Sequence, residues 1–163
     1  MARRRYAQQT SVAVSKSKGE IEDLLRKWGA SQMGWHDDFD SGKVFLRFMW
    51  YHDEAPFMAR FTIELASKAA LTEEAGDQRN GKFSQPKFDK LLRRRGMVEH
   101  RGLLLFLKAV FNAVDLGIIT AEQVFLPYLE DDQGRTVAEL VVPQLAKALR
   151  PGGHFKLLEK KDG

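Results

Sequence analysis

The chain has 163 residues, of which 44% are hydrophobic and 29% are charged, and this length and composition fit one globular domain. It contains no cysteine, which excludes disulfides, thiolate catalysis and zinc–thiolate sites. Lysine and arginine number 26 and aspartate and glutamate 22, and the resulting net charge of +4 permits a nucleic-acid partner without demanding one.

Residues 1–10 are predicted to form a flexible basic arm. Arg3, Arg4 and Arg5 are followed by polar residues, not by the roughly 7–15 apolar residues of a secretory signal peptide. The sequence therefore predicts a cytoplasmic protein, whose arm either binds phosphate or is a solvated terminus. Immediately after the arm, Ser11–Val14 could form a short strand.

The first helix is predicted to begin at Ser17 and to end before Gly29. Ser17 and Glu20 have the spacing of a capping box. Apolar residues then recur at helical spacing through Trp28, and Gly29 tolerates the left-handed conformation that follows a helix.

Between residues 32 and 65 the apolar period changes from 3.6 to 2. Three extended segments are separated by two stretches rich in turn-forming residues, 37–42 and 52–56. This pattern predicts a three-stranded antiparallel meander, with Ser11–Val14 as a possible fourth strand. The polar residues 66–85 that follow are predicted to form a long mobile loop.

The helical period returns after Ser84 and Pro86 and predicts a long central helix that Gly117 ends. Gly96 lies inside it, where it would allow either a kink or break or close packing. Capping-box spacings at Thr120 and Thr136 predict two shorter C-terminal helices. The expected fold is thus a single α+β domain over residues 11–150, followed by a tail at 151–163.

No motif for catalysis or cofactor binding is present. The phosphate-binding pattern G-x-x-x-x-G-K-[ST], the dinucleotide pattern G-x-G-x-x-G and the nucleophile elbow G-x-S-x-G are all missing. His36 and His52 each adjoin acidic residues, but the meander would place these two turns at opposite ends of a hairpin. The two clusters are therefore interpreted as polar turns, and we expect no enzyme activity, no metal and no cofactor.

A basic segment is the strongest indication of a binding function. Between residues 79 and 101 there are eight basic and two acidic residues, which gives +6 in this segment. The basic residues are Arg79, Lys82, Lys87, Lys90, Arg93, Arg94, Arg95 and Arg101. Lys87, Lys90 and Arg94 are spaced to lie on one side of the central helix, which indicates either a track for a phosphate backbone or an ordinary solvated face.

A second candidate surface lies on the middle strand. Phe45, Arg47, Met49 and Tyr51 share the face opposite to the apolar one. If this face is open, Arg47 and Tyr51 could stack on and contact the bases of a single strand. If a helix covers it, these residues belong to a second layer of core instead.

The C-terminal part of the chain resembles a family of small, uncharacterised phage, prophage and mobile-element proteins. The resemblance is carried by Leu104–Lys108, Phe111–Ile118, Thr120–Leu129 and Gly134–Glu139. It implies a mobile-element setting and no particular activity. In element order alone, the chain is also similar to RecT/Red-beta-like single-strand annealing proteins, and no functional residue is transferred from them.

These observations together predict a non-catalytic nucleic-acid-binding protein that forms a homo-oligomer. Single-stranded DNA is the favoured ligand, in recombination or replication of a phage or mobile element. Two alternatives remain open. One is a protein-interaction module that binds a host or defence protein, and the other is a structural phage protein.

Overall fold

The computed structural model describes residues 7, 9–52, 54–76 and 83–149. The predicted arm at 1–10 lies mostly outside these residues, and the tail at 151–163 lies wholly outside them. The elements are α1 (Val14–Lys27), β1 (Gln32–Asp38), β2 (Lys43–His52), β3 (Ala55–Glu64), α2 (Lys68–Ala75), α3 (Gln85–Asp115), α4 (Ala121–Phe125), a 3₁₀ turn (Leu126–Tyr128) and α5 (Val137–Ala148). The predicted α+β class and order of elements are confirmed.

The first helix, α1, begins earlier than predicted. It starts at Val14, with Ala13 as the N-cap, so the predicted strand at 11–14 and the predicted cap at Ser17 are both wrong. Ser17 lies inside the helix and is fully buried. The extra turn is supported by α3, where a Cβ on Gly96 would lie only 3.1 Å from Val14 Cγ2. Glycine at position 96 thus permits close packing of the two helices.

The three strands form the predicted antiparallel meander in the order β1-β2-β3. Arg47 in the middle of β2 is paired with Gly34 on one side and with Arg60 on the other. The outer edge of β3 is extended by a bridge between Ala59 and Leu129. An additional short sheet contact therefore exists, but it comes from the C-terminal region and not from residues 11–14.

The core lies between one face of the sheet and the helices α1, α3 and α4. Leu46, Phe48 and Phe61 project from the sheet into this core and are buried. Phe125 at the end of α4 is 1% exposed and is in ring contact with five aromatic residues. These rings join the sheet, α1 and α3 into one cluster.

The predicted loop at 66–85 contains a helix, and the prediction is wrong over Lys68–Ala75. Ser67 caps α2, because its side chain accepts a hydrogen bond from the Ala70 N–H at 3.2 Å. Leu71 and Ala75 are buried, and α2 packs against α3. These are the only two buried residues of α2. Two buried apolar positions are too few to produce a recognisable helical periodicity in the sequence. Residues 77–82 lie outside the described residues.

The long central helix is confirmed as α3, which runs unbroken for 31 residues. The alternative of a break at Gly96 is therefore wrong, and close packing is the role that the structure supports. Gly117 follows the helix with a φ of 68°, as expected for the residue that ends it. The two capping boxes predicted at Thr120 and Thr136 are both present.

The cap of α5 makes stability depend on pH. Hydrogen bonding to the Thr136 backbone N–H and the nearby Arg60 guanidinium hold the pKa of Glu139 below its ordinary value of 4.5. A carboxylate with a depressed pKa stabilises the fold above its unfolded-state pKa, and this contribution is lost as the pH falls through the folded-state value. We expect Glu139→Gln to be less stable than wild type by about 0.5 kcal/mol at neutral pH, because glutamine retains the cap but not the charge.

Urea unfolding of both proteins at neutral pH and at successively lower pH values tests this expectation. The difference between the two should shrink as the pH falls through the folded-state pKa of Glu139, which lies below 4.5. A difference that stays constant over this whole range would show that charge at Glu139 does not contribute to the stability of the cap.

Candidate nucleic-acid interface

The first turns of α3 carry an exposed row of cations, which we call the basic stripe: Lys87, Lys90, Arg93 and Arg94. Pro86 in the first turn suits the start of the helix. Phe88, Leu91 and Leu92 alternate with the stripe and are half-buried against the domain. The amphipathic pattern of this segment therefore directs the cations to solvent, as predicted for Lys87, Lys90 and Arg94.

Three cations of the stripe, Lys87, Lys90 and Arg93, have no carboxylate partner among the described residues. Lys87 Nζ donates to the Gly76 carbonyl at 3.0 Å and Arg94 Nη1 donates to the Thr10 carbonyl at 3.3 Å. A carbonyl orients a cation without cancelling its charge. Within the described part of the chain, Lys90 and Arg93 form no hydrogen bond or ion pair.

Two other arginines of the basic segment, which were also predicted to bind nucleic acid, form ion pairs within the fold. Arg95 forms an ion pair with Glu74 of α2 and donates to the Leu65 carbonyl. Arg101 lies 3.3 Å from Glu20 of α1, which Lys108 also contacts. Lys108 and Arg101 lower the pKa of Glu20 below its ordinary value, so this carboxylate stays charged. Arg95 and Arg101 therefore link α3 to α2 and α1, and their assignment to the nucleic-acid interface stays a prediction.

The predicted surface on β2 is also modified by contacts from the C-terminal region. Arg47 forms a bidentate ion pair with Glu130, in which Nε donates to Oε2 at 3.0 Å and Nη2 donates to Oε1 at 3.1 Å. Glu130 has only 6% of its side chain exposed and contacts Arg60 as well, and Arg60 also binds Glu139. Arg47 thus forms an ion pair with a buried carboxylate, and its predicted contact with the bases of a single strand stays a prediction. Tyr51 is 57% exposed.

The structure does not bring Tyr51 and the basic stripe into one site. The contact of Arg95 with Leu65 places the first part of α3 at the end of the sheet where β2 begins. Tyr51 lies eight residues along β2 from Lys43, or about 26 Å, and on the face opposite to the core. The predicted stacking surface and the predicted phosphate track are therefore separate. Arg79 and Lys82 lie outside the described residues.

A cavity of about 360 Å³ adjoins the stripe and was not predicted from the sequence. It opens between α1, the β1–β2 turn, α2 and α3, and Arg93 of the stripe is part of its wall. The other wall residues include apolar side chains, among them Phe88 and Leu92, as well as charged ones. Its walls come from four elements that are distant in sequence, so no local pattern could have indicated it.

The buried residue His100 forms part of the cavity wall. Its Nδ1 donates to the Gly96 carbonyl at 2.8 Å, and burial lowers the pKa of the imidazole, so His100 is neutral at physiological pH. With Nδ1 as the donor, Nε2 is an acceptor, and among the described residues it has no partner. This nitrogen can therefore accept a hydrogen bond from a donor that reaches it.

Within the described ranges, no three histidine, aspartate or glutamate side chains are grouped so as to hold a metal ion. Nor does that part of the chain contain a helix that is both long and apolar enough to cross a membrane. Compared with family models, curated proteins and solved structures, the chain gives no significant match.

Proposed function

We propose that this chain is a non-catalytic, cytoplasmic protein that binds single-stranded DNA as a homo-oligomer during recombination or replication of a phage or mobile element. The observation that carries the proposal is the basic stripe. Its four cations, Lys87, Lys90, Arg93 and Arg94, are exposed and adjacent on one helix. Lys87, Lys90 and Arg93 have no carboxylate partner in the part of the chain that the structure describes. The mobile-element setting rests on the resemblance of the C-terminal part of the chain.

Phosphate binding by the stripe has a measurable consequence for salt dependence. Each phosphate contact on a single strand contributes about 0.7 to the slope of log affinity against log salt. If all four cations bind phosphate, the slope is about 2.8, and affinity falls about 50-fold between 50 and 200 mM salt. A groove that binds the backbone in this way is largely indifferent to base sequence.

Charge removal on the stripe is expected to flatten this dependence. We predict that Lys87→Gln/Lys90→Gln/Arg94→Gln lowers the slope by about 2, because three phosphate contacts are lost, and weakens binding to all base sequences alike. Fluorescence anisotropy with an oligonucleotide of about 40 bases, titrated at several salt concentrations, measures both quantities.

The matched control is Arg26→Gln/Lys27→Gln/Lys147→Gln, which removes the same net charge from exposed positions elsewhere. It should leave the slope near the wild-type value. Equal effects of the two triple variants would mean that net charge alone governs binding. Absence of wild-type binding to the oligonucleotide at low salt would overturn the proposal and favour the next candidate.

A protein-interaction module is the second candidate, and α5 is the observation that favours it. Although α5 is rich in apolar residues, none of its residues is buried. Val142, Leu145 and Leu149 recur at helical spacing and are 58%, 37% and 83% exposed. In our proposal this apolar face of α5 forms the contact between copies of the chain, because a two-fold contact lets the same face of two copies cover each other.

Light scattering coupled to size exclusion tests this contact. We expect an oligomer for the wild-type chain and a monomer for Val142→Glu/Leu145→Lys. A wild-type monomer would mean that the apolar face of α5 is available to a different protein, as in the second candidate. A large assembly that forms without DNA, combined with no DNA binding, would instead indicate a structural phage protein.

A further inference from the structure

The cavity beside the basic stripe has the size and composition of a small-molecule site. Its volume of about 360 Å³ is within the range of roughly 300–1,000 Å³ that ligand pockets have. Its body is apolar, with Phe88 and Leu92 on one side and Leu71 on another. Phe39 in the β1–β2 turn is also part of the wall, and it is 72% exposed. A flat aromatic ligand could therefore enter past Phe39 and pack against apolar side chains.

The charged groups of the wall favour a ligand whose anionic part stays at the rim. The wall contains four cations, Lys18, Lys43, Lys68 and Arg93, and three carboxylates, Asp37, Asp38 and Asp40. Lys18 pairs with Asp37 at 3.4 Å, and Asp38 accepts hydrogen bonds from Ser41. Arg93 has no ion-pair partner in the described part of the chain and belongs to the stripe. A phosphate at Arg93 would therefore lie both on the stripe and at the cavity.

His100 in the cavity wall favours a ligand that carries a hydrogen-bond donor. Its Nε2 is an acceptor without a partner among the described residues. A ring that carries an N–H donor would satisfy this atom after a small adjustment of the wall, whereas a purely apolar ligand would leave it unpaired. Nucleobases combine an aromatic face, N–H donors and an attached phosphate in one unit.

We propose that this cavity receives one unstacked nucleobase of the bound strand while the adjoining phosphate contacts Arg93. The inference rests on the proposed single-stranded DNA binding and adds a base-binding site to it. Because the base enters an apolar cavity, its contribution to affinity is independent of salt, unlike that of the stripe. One base of the strand is thus held apart from its neighbours.

An oligonucleotide that contains 2-aminopurine tests the inference, since the emission of this base rises when it leaves the stack. We expect a rise when the wild-type protein binds. The variant Leu92→Trp fills the cavity and should abolish the rise, weaken binding about 5- to 150-fold, which is the range for one lost stacked base, and leave the salt slope unchanged. Leu116→Trp is the matched control, because Leu116 follows the same helix and is 67% exposed.

A second cavity variant keeps the inference testable if Leu92→Trp does not fold. Phe39→Ala removes an exposed ring at the cavity and should reduce the rise without affecting the fold, whereas Ile118→Ala, at a residue 74% exposed elsewhere, should change nothing. If DNA binds but the rise is absent, or is undiminished in both cavity variants, the base-binding site is wrong and the proposed function stands. If wild type binds no DNA, both proposals fail together.

Discussion

Gly42→Ala is expected to destabilise the protein by about 3–5 kcal/mol, a large part of the roughly 5–15 kcal/mol that holds a domain folded. Gly42 has a φ of 68°, which disfavours any side chain. A Cβ there would lie 1.8 Å from the Ala66 carbonyl oxygen and 2.7 Å from the Ser67 nitrogen. Both atoms belong to backbone, so the β1–β2 turn and residues 65–67 must separate. The hydrogen bond from the Leu65 N–H to the Gly42 carbonyl, 2.8 Å, would weaken as well.

Urea unfolding measures this loss, and Gly29→Ala is the matched control. Gly29 also has a positive φ, 93°, but a Cβ there would meet nothing within 4 Å. This control isolates the conformational strain, which costs about 1 kcal/mol. Equal losses in the two variants would mean that the backbone around Ala66 moves aside without a significant cost.

Phe125→Ala should cost about 3–5 kcal/mol, because it empties the centre of the aromatic cluster. The Phe125 ring lies 5.3 Å from Trp50, 5.6 Å from Phe48 and 5.7 Å from Phe111, measured between ring centroids. These neighbours belong to β2 and α3, so the residue joins the sheet to the helical layer. Removing the ring loses both the buried apolar surface and the edge-to-face contacts.

Denaturant unfolding measures this loss in the free energy of unfolding, and Phe125→Leu and Phe39→Ala are the variants with which it is compared. Leucine fills most of the space and should cost less than alanine at the same position. Phe39 is 72% exposed, so its removal should change stability by no more than about 0.5 kcal/mol. A loss at Phe125 as small as that at Phe39 would contradict the central role of this ring.

The meander and the long helix could be predicted because their periodicity is local. The alternation of apolar residues in β2 and β3 is visible in the sequence, and so are the capping boxes at Thr120 and Thr136. The start of α1 could not be predicted in this way. Its first turn depends on the contact between Val14 and Gly96, which are far apart in sequence. Long-range packing here overrides the local signal at Ser17.

The candidate site was predictable only in part, because a count of charges does not reveal ion pairs. The basic segment 79–101 contains few acids, but Arg95 and Arg101 find Glu74 and Glu20 on other helices. Arg47 likewise finds Glu130, and nothing near Arg47 in the sequence indicates this partner. Exposure of the stripe followed from helical spacing, whereas neutralisation of the other arginines is a property of the tertiary fold.

The joining of α1 to α3 and α4 in one core has a consequence for synthesis on the ribosome. Leu25 of α1 and Phe125 of α4 belong to the same buried cluster. At the usual elongation rate of about 5–20 residues per second, on the order of 5–20 s pass between the translation of these two residues. During this interval the apolar side of the nascent first helix lacks the final members of its cluster. The core of the domain is therefore completed only after α4 has been translated, and until then the apolar side of α1 is open to association with other exposed apolar segments.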